Sequence, residues 1–234
     1  VDGVVSLAQP VAPSVVAAGD TGPDPRARLL GPRATRLRLV ISDVDGVLTD
    51  GGVYYSERGE ELKRFSVRDG MGVERLRQEG IEVALLTREP SAIVARRAEK
   101  LGLRLVYLGV SDKAQFLRRV LDDAAVSADE VAYIGDDVND AAVMEMVAAR
   151  GLAGAPADAR PEILALAHFV ARQPGGHGAF RDFAEWLLEL RRGQPPRVSV
   201  SIPEVSAVSE PAWSVTGAAR SARHGRTEGR KDGR

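Results

Sequence analysis

Two aspartates two residues apart, Asp43 and Asp45, follow a short apolar run and precede Gly46. Carboxylates at i and i+2 of a strand end face the same way, and a glycine lets the chain turn sharply after them. One such carboxylate can attack a phosphorus atom while the other handles the leaving group's proton. A chemically idle acidic turn would carry the same residues, so the pair needs company. Thr87 ends a second apolar run, placing a hydroxyl and nearby backbone N–H groups where a phosphoryl oxygen could be held. A helix cap would also use a threonine there. Lys113, in Ser111-Asp112-Lys113, follows a third run; a lysine there could neutralise a phosphate and orient the nucleophile. Gly135-Asp136-Asp137-Val138-Asn139-Asp140 follows a fourth, and carboxylates clustered at a helix start favour a hard cation such as Mg2+. Each element is weak alone. Asp, Thr, Lys and paired Asp in one order are far more specific.

The elements that must position these groups are short buried strands alternating with helices. Apolar runs at 37–42, 81–87, 103–109 and 131–135 read as strands covered on both faces. Helical patterns separate them at 69–79, 91–101, 112–122 and 138–148. GLAGA and HFV add two more short strands, and a last helix covers 177–191. This alternation predicts an α/β fold, a doubly wound parallel sheet of Rossmann type. Right-handed crossovers then bring all the strands' C-terminal ends to one edge, where such folds bind ligands. Residues 47–65 break the pattern. Turn signals at Asp50-Gly51-Gly52 and Glu57-Arg58-Gly59 predict a β-hairpin projecting from that edge.

Residues 1–35 and 193–234 show no sustained period and read as a disordered arm and a disordered basic tail flanking one domain at 36–192. The chain's 44% hydrophobic and 28% charged residues are those of a soluble globular protein. A net charge of −1 gives no field for nucleic acid or an anionic membrane. With no cysteine, disulfides and thiolate metal sites are excluded, leaving oxygen ligands or the three histidines. No apolar run reaches the roughly 20 residues of a membrane span, so the cytoplasm is the expected location.

DVDGVLTD, the Thr87 strand end, Lys113 and GDDVND together resemble the four motifs of the haloacid-dehalogenase superfamily, over about residues 36–191. The resemblance implies that Asp43 is nucleophile and metal ligand, and that Asp45 is general acid/base and lends its backbone carbonyl to the Mg2+. It implies that Thr87 and Lys113 bind the phosphoryl group and that Asp136 completes the metal shell. Asp137, Asn139 and Asp140 would support that loop and Lys113. A receiver domain shares the Asp, Thr and Lys but not their order.

The gaps between motifs are too short for a cap domain. VRDGMG (67–72) and PGGHGAF (174–180) resemble the capless sugar-acid phosphatases, which form tetramers. That implies a homotetramer in which hairpin 47–65 reaches a neighbouring site. Substrates of the group are phosphorylated 2-keto-3-deoxy sugar acids. Ser66, Arg68, Asp69 and Gly70 are expected near them, as are Arg88, Glu89, Arg97 and Lys100. Octulosonate enzymes continue Thr-Gly-Arg where this chain reads Thr87-Arg88-Glu89, and Glu74 stands where they tend to carry an arginine. The expected substrate is therefore a nonulosonate 9-phosphate of the sialic acid or KDN type. The alternatives are 3-deoxy-D-manno-octulosonate 8-phosphate, or a non-catalytic module working with an acylneuraminate cytidylyltransferase.

Overall fold

The computed structural model describes residues 25–193; the segments expected to be disordered at 1–24 and 194–234 lie outside the described residues. Within 25–193, six parallel strands form one sheet: β1 (Leu39–Ser42), β4 (Glu82–Leu86), β5 (Leu105–Tyr107), β6 (Val131–Ile134), β7 (Leu152–Ala155) and β8 (Phe169–Val170). Their order is β5-β4-β1-β6-β7-β8. The chain winds outward from β1 in one direction through β4 and β5. It then returns to β6 on the other side of β1 and winds the opposite way. The C-terminal end of β1 is thus a topological switch point, where a crevice opens between diverging connections.

Period-two alternation divides each strand between two cores. Val40, Val83, Leu85, Ala132 and Ile134 face one side, packing against α1 (Pro25–Arg36), α2 (Val67–Gln78), α3 (Ala92–Lys100) and α7 (Ala179–Arg191). Leu39, Ile41, Ala84, Leu86, Val131 and Tyr133 face the other. They pack against α4 (Lys113–Ala124), α5 (Val138–Ala148) and α6 (Pro161–Leu166). Both faces are covered, which is why the strands read as continuous apolar runs rather than alternating ones.

Two elements differ from the sequence expectation. Residues 25–35 belong to helix α1 rather than to a disordered arm. With Gly31 and Pro32 inside it, α1 has little helical propensity of its own. Tertiary contacts stabilise it: Leu30 and Ala34 are buried in the core, and Arg33 donates to the carbonyls of Ala148 and Gly151 at 2.9 and 3.0 Å. The six-residue α6 is too short to show a period in the sequence.

The hairpin consists of β2 (Tyr54–Ser56) and β3 (Gly59–Leu62), paired antiparallel through Tyr55 with Glu60 and Ser56 with Gly59. It stands apart from the main sheet, and every residue of β2 is exposed.

Candidate active site

Asp43 follows β1 and is only 4% exposed. Its backbone N–H still donates to the Ile134 carbonyl, so Asp43 sits on an extension of the sheet. Lys113, the first residue of α4, enters from the other side of the crevice with its side chain wholly buried. Its Nζ lies 2.9 Å from Asp43 Oδ1 and 2.6 Å from Asp140 Oδ1. Burial works against the ammonium, but the two carboxylates outweigh it and raise its pKa.

Asp140 has no acceptor capacity to spare. Its Oδ1 also takes the Tyr133 hydroxyl at 2.6 Å, and its Oδ2 takes the backbone N–H groups of Asp136 and Asp137 at 3.0 and 3.5 Å. Asp137 caps α5, accepting from Val138 N–H at 2.7 Å, and Asn139 lies half-buried in that helix's first turn. Burial, with Asp140 beside it, also pushes the Tyr133 phenol well above its usual range, so it stays a donor.

The acids here carry more negative charge than Lys113 can balance. Burial, then Asp140, push the Asp43 carboxyl well above the usual carboxylate range, against the opposing pull of Lys113. Burial, then Asp140 and Asp137, push Asp136 up to about 7. Oxygens of Asp43, Asp136 and Asp140 lie within 4.8 Å of one another, and Asp136 Oδ1 is buried without a partner. Gly46, at φ +88°, leaves this space clear, because a Cβ there would collide with the Asp136 carboxylate. An all-oxygen cradle with an orphaned acceptor fits a hard divalent cation. Since Asp140 is occupied elsewhere, Asp43 and Asp136 are the carboxylates that could hold it.

Asp45 is half-buried and anchored from the hairpin. Lys63, just past β3, places Nζ 2.6 Å from Asp45 Oδ1 and 3.6 Å from Glu60 Oε2. Burial works against this ammonium as well; the bonds to Asp45 and Glu60 outweigh it, raising its pKa. Thr87 is buried at the end of β4, its hydroxyl accepting from Glu89 N–H at 3.3 Å.

The crevice is closed behind Gly46 by the loop before α7. Gly176 N–H donates to the Val47 carbonyl at 2.9 Å, and a Cβ on Gly175 would collide with the Gly46 carbonyl oxygen. Arg64 donates to the Gly176 carbonyl at 3.0 Å and lies 3.3 Å from His177 Nε2.

The structure brings Asp43, Lys113, Asp136 and Asp140 together at one strand edge, with Asp45 and Thr87 on the loops after β1 and β4. It gives four residues expected at the substrate other contacts. Ser66 caps α2, accepting from Arg68 N–H. Asp69 is 2% exposed and accepts from Arg181 N–H at 3.0 Å, tying α2 to the start of α7. Arg97 donates to the Ser66 carbonyl at 3.1 Å, with its guanidinium 5.5 Å over the Phe65 ring. Gly70 is where it must be for that packing, since a Cβ would come within 2.8 Å of the Arg97 guanidinium. A residue's place along the chain does not give its side-chain direction. Arg68, Arg88, Glu89 and Lys100 are exposed.

A family model for haloacid dehalogenase-like hydrolases matches residues 53–147. The 3-deoxy-D-manno-octulosonate 8-phosphate phosphatase of Yersinia pestis is 44% identical over 156 residues, 67% of this chain and 82% of that protein. The chain belongs to this phosphatase family of the haloacid-dehalogenase superfamily. The cobalt-bound phosphatase of the same name from Haemophilus influenzae superimposes with a TM-score of 0.65 at 38% identity, over 68% of this chain and 92% of that one. The Moraxella catarrhalis enzyme, solved with magnesium, phosphate and KDO, gives 0.65 at 32% identity, over 69% and 91%. A divalent metal is bound in both. No described helix of this phosphatase is long and apolar enough to cross a membrane.

Sequence pattern alone does not point to Lys63 or Tyr133. Tyr133 sits within an apolar strand run, and a polar tip there was the available signal. Lys63 looks like any exposed hairpin lysine, and only the folded hairpin foot buries it.

Proposed function

We propose that this phosphatase hydrolyses the terminal phosphomonoester of a 2-keto-3-deoxy sugar acid, with 3-deoxy-D-manno-octulosonate 8-phosphate as its substrate. The observation that carries the chemistry is the buried Asp43–Lys113 pair beside the partnerless Asp136 oxygen at the sheet's switch point. Support for the substrate comes from the Yersinia relative named for it and the Moraxella enzyme holding KDO. The nonulosonate expectation draws no support from these relatives. Glu89, exposed two residues after Thr87, is the one feature that keeps it as a second reading.

In this reading Asp43 attacks phosphorus while Lys113 and Thr87 hold the phosphoryl oxygens. Asp45 gives a proton to the departing sugar oxygen, and Asp43 becomes an aspartyl phosphate. Asp45, now a carboxylate, takes a proton from the water that releases phosphate and restores Asp43. Mg2+ on Asp43, Asp136 and the Asp45 backbone carbonyl would lower the charge repulsion between nucleophile and phosphate. Arg68 is the candidate for the substrate carboxylate. Its Cδ lies 3.8 Å from the position a Cβ on Gly178 would take, beside the closing loop.

Among the described residues no cap covers the crevice, and Val53, Tyr54, Tyr55 and Leu62 of the hairpin are exposed. Exposed apolar groups on a projecting element fit a subunit interface, so a homotetramer with hairpin 47–65 at a neighbouring site accounts for both. Intact site geometry opposes the non-catalytic module.

Phosphate release from octulosonate 8-phosphate and from sialic acid and KDN 9-phosphates, with magnesium and with EDTA, tests the substrate. The expected result is metal-dependent turnover fastest on the octulosonate ester. Faster turnover of a 9-phosphate would install the second reading, and no release from any ester would support the module. Light scattering tests assembly; a fully active monomer would sink the hairpin's cross-subunit role.

A further inference from the structure

We infer that Lys63 is a positioning residue for Asp45, clamping one carboxylate oxygen so that the other is presented for proton transfer. The inference rests on Asp45 as the general acid/base. Lys63 carries a side chain with no exposed surface at the foot of a hairpin whose strand β2 is wholly exposed. A buried ammonium is costly unless its partners are well placed. Its partners are Asp45 Oδ1 at 2.6 Å and Glu60 Oε2 at 3.6 Å.

The two oxygens of Asp45 are treated unequally. Oδ1 receives Lys63 and, at 3.3 Å, the Thr49 hydroxyl, whereas Oδ2 is buried without a partner. A carboxylate held at one oxygen has lost its rotational freedom but kept one free acceptor. That is what a group needs if it is to give a proton to a leaving oxygen and later take one from water. Glu60 is held in turn by the hydroxyl of Ser91, 6% exposed at the start of α3. The chain Asp45–Lys63–Glu60–Ser91 therefore ties the first catalytic loop, the hairpin foot and the segment after Thr87 into one unit.

A purely structural tether would slow every substrate by the same factor. A misplaced general acid slows esters in proportion to the basicity of their leaving groups, because a good leaving group needs no proton. First-turnover rates of p-nitrophenyl phosphate and phenyl phosphate with magnesium separate the two, and neither probe depends on the sugar-acid assignment. Lys63→Met is expected to leave p-nitrophenolate release within about 3-fold and to slow phenol release by about 30-fold or more. Because Asp45 also serves the second step, nitrophenolate should appear as a burst stoichiometric with enzyme, followed by slow turnover. Lys63→Arg should recover part of the loss. Should Lys63→Met fail to fold, Glu60→Gln should show the same selectivity at smaller size. Equal slowing of both esters, or none, would overturn the inference. Asp45→Asn is the control: if it lacks the selective signature, the acid/base assignment fails; if it alone shows it, only the role of Lys63 does.

Discussion

The two carboxylates at the end of β1 lie two residues apart, yet they are held by different parts of the molecule. Asp43 is fixed by Lys113 and, through it, by Asp140 and Tyr133, all parts of the sheet and the helices packed on it. Asp45 is fixed by Lys63, from a hairpin that stands apart from the sheet. Both lysine side chains are buried, but the inner pair sits within the main framework and the outer pair on an exposed projection. Asp43 is thus held from within the main framework, while Asp45 is attached to a projecting element.

The largest effect should come from breaking the inner pair at Asp43. Asp43→Asn is expected to lower kcat by about 10^4-fold or more while the fold persists, provided mass spectrometry excludes reversion by deamidation. Lys113→Met should cost about 100-fold in kcat. It should also destabilise the protein by about 3–5 kcal/mol in denaturant titrations, because Asp43 and Asp140 remain buried without their cation. The same substitution at the outer pair, Lys63→Met, should cost far less stability.

Asp136→Asn should abolish magnesium-dependent activity yet raise the melting temperature in EDTA, since it removes a carboxylate whose charge is disfavoured by burial and by Asp140 and Asp137. An unchanged or lower melting temperature would show that Asp136 is not strained in the metal-free site. The smallest effect on either pair should come from His168, which lies away from both. Burial, then Arg33, lower its pKa to about 4, and its Nδ1 accepts from Ala153 N–H at 3.0 Å. The unfolded chain binds a proton below about 6.5, and the fold does not until about 4. Stability from this group is thus complete above 6.5 and declines as pH falls, by up to about 2–3 kcal/mol near pH 4. His168→Gln should flatten that decline and leave kcat at pH 7.5 unchanged.

How much of this was legible in the sequence follows the same division. The parallel sheet and its active edge were readable, because strands buried on both faces must be continuously apolar and the motif residues directly follow them. Asp43, Lys113 and Asp136 were located for that reason. Side-chain direction was not readable. Ser66, Asp69 and Arg97, expected near the substrate, make contacts to helix starts and the Phe65 ring that spacing alone does not reveal. Lys63 reads as an exposed residue because its burial depends on Asp45, 18 residues earlier. Helix α1 was missed because its order comes from Leu30, Ala34 and Arg33 meeting distant surfaces, not from propensity.

The loop at Gly175 and Gly176 has a consequence for how the protein is made. Its backbone lies directly against Gly46 and Val47, and Asp69 secures the helix that follows. Asp43 leaves the ribosome before the surface that backs its loop, which is among the last parts of the described chain to emerge. A nascent chain that folds from its N-terminus would hold a sheet with an unsupported catalytic turn until residues near 180 appear. Chains ending before that point should bind metal poorly and lack turnover, even where the parallel sheet has formed.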